Sequence, residues 1–372
     1  MNNTTLPHWI SVGLIPLLNL LMAFAVMALL FVAIGINPLE AGRLILQGAF
    51  GYQEGIGYTL YYATNFIFTG LAVAVAFSAG LFNIGGEGQA YIGGLGIGLV
   101  CLGLDASMPF WVICPIAILG GMLFGALWAF IPGYLQAYRG SHVVITTIMF
   151  NFIASSLMVY LMVNVLKPAG EMSTVSRAFT DNAKLPFMRD IFESFGISGM
   201  EFGPLNGSFF LALLALVAVW FLLWRTRWGY AIRALGSSPS AAHYGGINPK
   251  RLTVIVMLIS GAMAGLLGMN EITGYSHQIR LDFVAGYGFT GIAVALIGRN
   301  HPVGILLAAL LFGVLFQGGN ELAFEYDNID REMVVIVQSL VVLFAGALSL
   351  MWANPISQLY QKFTTQKTPQ EA

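Results

Sequence analysis

Residues 80–94 read GLFNIGGEGQAYIGG and set one carboxylate, Glu87, among six glycines, with Asn83 and Gln89 close by. The sequence on either side is apolar for many residues and cannot solvate these groups. A carboxylate and two amides in such a setting can replace the hydration shell of a polar solute or ion. The glycines weaken any helix here, each by about 1 kcal/mol in a helix interior. The charge-free run that follows, 88–104, is also short for a membrane crossing. A broken or late-starting helix is therefore expected. Short, glycine-interrupted spans point to a translocation pathway, because open backbone is tolerated at membrane depth only beside protein or water. The same stretch would serve equally as a turn whose small residues let helices approach.

A second set lies in GSHVVITTIMFNFIA, residues 140–154. Thr147 and Asn151 are four apart and share a helix face. They would line a pore or bridge to a neighbouring helix, the usual role of such residues. Asn270, Glu271, His277, Arg280 and Asp282 form a third polar group, read as a solvated loop at the outer end of two spans.

The fourth stretch, RTRWGYAIRALGSSPSAAHYGGINPKRL at 225–252, is basic, rich in small residues and free of acids. Ser238 followed by Pro239 is an N-cap with proline at the first helical position. Gly245 and Gly246 supply a left-handed stop. A helix over Pro239–Tyr244 follows, too short to be stable unless something holds it, and WGYAIRAL forms another. Such a loop suits docking into a groove on a cytoplasmic partner; the plainer reading is a basic surface loop that only obeys membrane topology.

Other chemistry is unsupported. Cys101 and Cys114 fall in apolar runs as small buried residues. No disulfide or metal spacing, Ser/His/Asp set or paired carboxylates appear, and no GxxxxGK[ST] loop occurs, so neither an enzyme nor ATP binding by this chain is expected. No basic cluster suggests nucleic acid.

The elements that position these residues follow from composition. The 372 residues are 58% hydrophobic and 9% charged, against about a quarter charged in soluble domains. Residues 1–39, 55–86, 106–138, 140–166, 202–224, 252–270, 300–320 and 333–361 carry no Asp, Glu, Lys or Arg, and 88–104 and 283–298 are shorter charge-free runs. Each can hold a span of about 20 residues, giving about ten. They are too uniformly apolar for barrel strands. An all-α polytopic membrane protein is expected, a single transmembrane domain over 1–372 with no soluble domain. The N-terminus lacks the basic start of a cleavable signal and reads as a retained first span.

Arg225, Arg227, Arg233, Lys250 and Arg251 place the 225–251 loop in the cytoplasm. Counting spans from it puts Arg139, Arg299, Lys362 and Lys367 on the same side, and both termini with them. The short outer loops hold Arg43, Arg280 and Arg331, and acids gather outside at Glu321, Glu325, Asp327, Asp330 and Glu332. Segment 166–206, with Pro168, Pro186 and Pro204, lies outside as a cap or short amphipathic helix. The patterns Gly121–Gly125 and Gly261–Gly265 signal close helix packing without naming the partner. FTGLAVAV at 68–75 and FTGIAVAL at 289–296 are alike, through an internal repeat or shared packing needs.

The stretches FNIGGEGQ, GSHVVITTIMFNFIA, RALGSSPSAAHYGGI and GYGFTGIAVALIGRNHPVGILLAALLFG resemble the permease subunits of ABC importers in the branched-chain amino acid, ribose and nucleoside group. The similarity runs from about residue 60 to 345. The FNIGGEGQ form is similar to the nucleoside permeases that work with a lipid-anchored binding protein; the sequence departs from them at His142, where many carry an acidic residue. The resemblance implies a pathway built with a second, homologous or identical permease and involving Asn83, Glu87, Gln89, Thr147 and Asn151. It implies two cytoplasmic ATP-binding subunits gripping the short helix, with Arg233, Gly236, Ser238, Pro239, Ala241, Ala242, Tyr244 and Gly245 as coupling residues. A periplasmic or lipid-anchored solute-binding protein would deliver the solute. The alternatives are a ribose-like sugar permease, or an ion-coupled transporter with Glu87 as its ion site.

Overall fold

The computed structural model describes residues 14–326 throughout, together with Pro7, Ile10 and positions 335, 336, 339, 340, 343 and 344. The described elements are helical apart from two isolated bridges, Val175 with Arg280 and Phe187 with Asn206. In chain order the α-helices are α1 Ile15–Ala33, α2 Pro38–Phe50, α3 Gln53–Ser78, α4 Gly86–Leu104, α5 Phe110–Tyr134, α6 Val143–Leu161, α7 Met188–Ser194, α8 Ser208–Arg225, α9 Arg227–Ser237, α10 Pro239–Tyr244, α11 Pro249–Gly265, α12 Tyr287–Ile297 and α13 Pro302–Glu325. Single π-helical stretches extend α5 to Arg139 and α6 to Leu166, and Met269–Ser276 carries α11 onward.

Seven of the described helices are long and apolar enough to cross a membrane, and the α1–α2 pair, bent by 115°, would make an eighth. α12 is a shorter apolar helix. The bend falls at Gly35, where φ is 81°. Helix α2 was missed by sequence reasoning, which left its residues in a loop; its Glu40 and Arg43 interrupt the apolar run without breaking the helix. The expected span in 333–361 falls almost entirely outside the described residues. Glycines 86, 88, 93, 94, 96 and 98 do not break α4, which starts late, at Gly86, and runs on unbroken.

The chain divides into two compact units, 1–48 with 318–372, and 49–317. In the smaller, a Cβ at Gly48 would lie 2.6 Å from that of Glu321. In the larger, α3 and α11 are the most buried spans, at 83% and 72%, whereas α5 and α6 are 28% buried and present most of their surface outward. The two GxxxG patterns turn out to face each other. A Cβ on Gly125 would overlap the carbonyl oxygen of Gly261, and one on Gly265 that of Gly121. Without side chains between them, the α5 and α11 backbones pack directly, and such close van der Waals contact is one of the terms that drive helix association in lipid. The like segments of α3 and α12 are also neighbours: a Cβ on Gly70 would lie 3.0 Å from Val294, and one on Gly291 would overlap Thr69. Both glycines therefore serve the close approach of these two helices.

Segments 166–206 and 225–251 lie at opposite ends of α8 and α11. The first is bonded to the far end of α11, with Ser176 N–H to Ile279 O at 2.9 Å and Leu185 N–H to Thr273 O at 2.9 Å. Its short helix is α7, and a 3-10 turn spans Asp181–Ala183. Arg177 clasps Asp105 just beyond α4, with its two terminal nitrogens 2.7 and 2.8 Å from the two carboxylate oxygens. The Asp105 side chain is fully buried and Arg177 holds its carboxyl below the usual range.

Candidate functional site: a polar cavity within the bundle

Between α3 and α4 the chain enters the bundle in non-helical form. Residues 81–85 are mostly buried, so their backbone needs partners that lipid cannot give. Asn83 supplies one: its side-chain oxygen accepts from Gly85 N–H at 2.9 Å, while its nitrogen ties the turn down by donating to Gln89 Oε1 at 2.9 Å and Ser260 Oγ at 2.8 Å. Asn151 supplies another from α6, donating to Ile84 O at 3.0 Å, and it accepts from Gly88 N–H at 2.9 Å at the start of α4. Ser260 lies eleven residues into α11, about 16 Å along its axis. The polar knot therefore sits well inside the membrane-crossing region.

Glu87 stands one residue inside the start of α4 and reaches across to the start of α12. Its Oε1 accepts from Gly286 N–H and its Oε2 from Gly288 N–H, each at 2.8 Å. A carboxylate at a helix N-terminus satisfies free N–H groups and complements the helix dipole. Gly288 must lack a side chain, since a Cβ there would overlap the Glu87 backbone.

Beside this contact lies a cavity of about 240 Å³ lined by Glu87, Gly88 and Tyr91 of α4, Asn151 and Ser155 of α6, and Asp282 to Gly286 without Phe283. The turn ahead of α12 is tight: Asp282, Ala285 and Gly286 all have positive φ, 55°, 46° and 80°. Tyr91 holds it, its hydroxyl accepting from Asp282 N–H at 2.9 Å. The lining offers carboxylates, an amide, a phenol and an alcohol, and no Lys, Arg or His. It can exchange hydrogen bonds with a neutral, hydroxylated solute and opposes an anion by charge.

The sequence-predicted pathway residues thus divide. Glu87 and Asn151 line the cavity, while Asn83 and Gln89 are buried supports behind it. Thr147 is fully buried, returns its hydroxyl to Val143 O at 2.8 Å, and packs where Gly85 leaves room.

The residues of segment 225–251 divide likewise. Ser238 caps α10, its hydroxyl accepting from Ala241 N–H at 3.3 Å, and Gly246 supplies the left-handed stop at φ 82°, while Gly245 stays right-handed. Pro239, Ala241, Tyr244 and Gly245 are exposed, Tyr244 at 91%. Ala242, at 3%, faces inward. Arg233 donates to Leu223 O at the end of α8, and a Cβ on Gly236 would overlap Ser78 O at the end of α3. These three residues hold the loop onto the spans.

One polar group expected as solvated loop is instead deeply buried. Glu271 is 0% exposed and accepts from the Tyr61 hydroxyl at 2.5 Å and Asn65 Nδ2 at 2.7 Å. Asn270 beside it bonds Asn65, Asn206 and Ser208. The available signal was a carboxylate placed directly after a charge-free run, where an ionisable residue is functional or paired by default.

A bundle of apolar helices that admits non-helical backbone to a polar cavity at depth defines a transmembrane solute-conducting protein rather than a catalyst. The sequence profile of the branched-chain amino acid transport system permease component family matches residues 55–346, and the chain belongs to that family. It is 34% identical to a glucose ABC transporter permease of Haloferax volcanii, over 91% of this chain and 88% of that protein. It is 35% identical to a nucleoside ABC transporter permease of Lactococcus lactis, over 89% and 90% of the two chains. It is also 35% identical to a guanosine ABC transporter permease of Bacillus subtilis, over 90% and 93%. The protein is a multi-pass permease of an ABC importer in the inner membrane, moving a small polar solute. Ion-coupled transport, the alternative reading of Glu87, is set aside.

Proposed function

We propose that the solute is a nucleoside, passed through the cavity bounded by Glu87 and Asn151 under the drive of two separate cytoplasmic ATP-binding subunits. The observation that carries the coupling half is α10: a capped six-residue helix whose buried side is anchored and whose Ala241 and Tyr244 face is presented outward. In this reading the chain acts as one transmembrane domain of ten spans with both termini in the cytoplasm. A second permease, identical or homologous, completes the pathway. A periplasmic or lipid-anchored binding protein meets segment 166–206. ATP-driven closure displaces α10 and changes which side the cavity faces, through contacts that differ between the two states.

The nucleoside assignment rests on the FNIGGEGQ form and on the nucleoside and guanosine permeases among the relatives. A simple sugar is the second reading, favoured by the glucose permease and by a lining suited to hydroxyl groups. Uptake in vesicles holding the whole importer separates the two: radiolabelled guanosine should enter with ATP and resist excess free ribose or glucose. Preferential uptake of the free sugar would replace the first reading by the second. Ala241→Asp should cut uptake at least tenfold while the assembly stays intact. Labelling of a cysteine at position 240 from the external medium would overturn the coupling assignment.

A further inference from the structure

We infer that the groove between α9 and the start of α11 is a binding site for one anionic phospholipid. The groove has a volume of about 420 Å³ and is lined by Arg227, Trp228, Ala231, Ile247, Asn248, Arg251, Leu252 and Ile255.

Three observations select this occupant. The first is charge: Arg227 and Arg251 are both exposed at the groove, and no Asp or Glu occurs from residue 202 to 270. Among the described residues neither guanidinium is paired with a carboxylate. The neighbouring cations are committed elsewhere, Arg225 over the Trp220 ring at 5.1 Å and Lys250 over the Tyr138 ring at 5.7 Å. The second is depth. The wall formed by Leu252 and Ile255 belongs to a membrane-crossing helix, and Ile255 lies six residues in, about 9 Å along the axis. The charge-free part of this helix begins at Leu252, so the wall belongs to the apolar span, which an acyl chain matches and the polar surface of a soluble subunit does not. The third is Trp228, 52% exposed beside the two arginines, the residue type that sits at headgroup level. Basic pockets between spans on the cytoplasmic side hold anionic headgroups. The phosphate then lies between the two guanidinia, with a chain along Ala231, Leu252 and Ile255.

The site also touches the coupling loop. Ile247, which lines the groove, bonds back to Ala242 O at 3.0 Å, and Asn248 caps α11 through Arg251 N–H at 3.2 Å. A bound lipid therefore braces the chain between α10 and α11. Its leaflet rests on the topology proposed above; its existence does not.

The complete importer, delipidated and titrated with equal dioleoyl phosphatidylglycerol and dioleoyl phosphatidylcholine, tests this by native mass spectrometry, which reads the groove whichever way the chain is oriented. The wild type should favour phosphatidylglycerol about tenfold. Arg227→Gln with Arg251→Gln should abolish that preference, and Arg225→Gln with Lys250→Gln, an equal charge loss outside the groove, should keep it. Ile255→Trp, which fills the groove and leaves both arginines, should also lose the bound lipid, and it serves where the double variant fails to assemble. Equal retention of the two lipids by wild type, equal loss in both charge pairs, or capture of an ATPase subunit by a photo-crosslinker at position 231 would overturn the assignment.

Discussion

Glu87 and Gly288, 201 residues apart in the chain, form the joint between two helices adjacent in space: the Glu87 carboxylate accepts from the Gly288 N–H at 2.8 Å, and the missing side chain of Gly288 leaves room for the Glu87 backbone. Glu87 itself lines the cavity beside this joint.

That joint gives the first prediction. Gly288→Ala places a methyl group on the Glu87 backbone, which cannot move aside as a flexible side chain can. It should lower the thermal midpoint of the purified permease more than Glu87→Gln, which keeps the shape and one acceptor. Loss of a hydrogen bond to a charged group costs about 1.5–3 kcal/mol. Transport should fall in both, and an unchanged midpoint in Gly288→Ala would show that the two helices do not meet.

The facing glycines of α5 and α11 give the second. Gly261→Ala and Gly125→Ala each press a methyl group against backbone of the opposing helix. Overpacking of this kind costs about 1–3 kcal/mol. Each should reduce the folded yield in detergent. Gly103→Ala, where a Cβ meets nothing within 4 Å, is the control and should behave as wild type.

The third concerns acid. Asp105 has a lowered pKa, chiefly through its hydrogen bonds to Arg177. A carboxyl depressed in the folded state adds stability above its unfolded value, about 3.9, and that stability disappears as pH falls through the lower folded value. The clasp holds segment 166–206 through Arg177 and Thr180, whose N–H reaches Asp105 at 3.0 Å. Asp105→Asn should make that segment several-fold more sensitive to protease at pH 7. Wild type should approach the variant only below about pH 4. Because Arg177 is nearly half exposed, solvent screens the pair and the effect stays local.

What could be read from sequence was what is encoded locally. The limits of α10 came from Ser238, Pro239 and the following glycines, because cap chemistry involves residues three or four apart. Its inward face did not: Ala242 and Ala241 are the same residue, and only α9 and the start of α11 decide which is covered. The GxxxG patterns announced two flat surfaces, yet such a surface carries no address for its partner. Glu271 was placed in solvent because its acceptors are answered by Tyr61, 210 residues away. The cavity was half legible for the same reason. Glu87 marked it, while Asp282 and Tyr91 join it only through the fold.

The seam of glycines along α5 and α11 has a mechanical meaning. Helices held through long side chains can absorb a shove by letting rotamers rearrange; bare backbones in contact have none to rearrange. Gly93 of α4 joins the same seam at Gly265. If α10 transmits a push as proposed, it meets at Pro249 a stiff three-rod unit in which Glu87 stands just ahead of the Gly93–Gly265 contact.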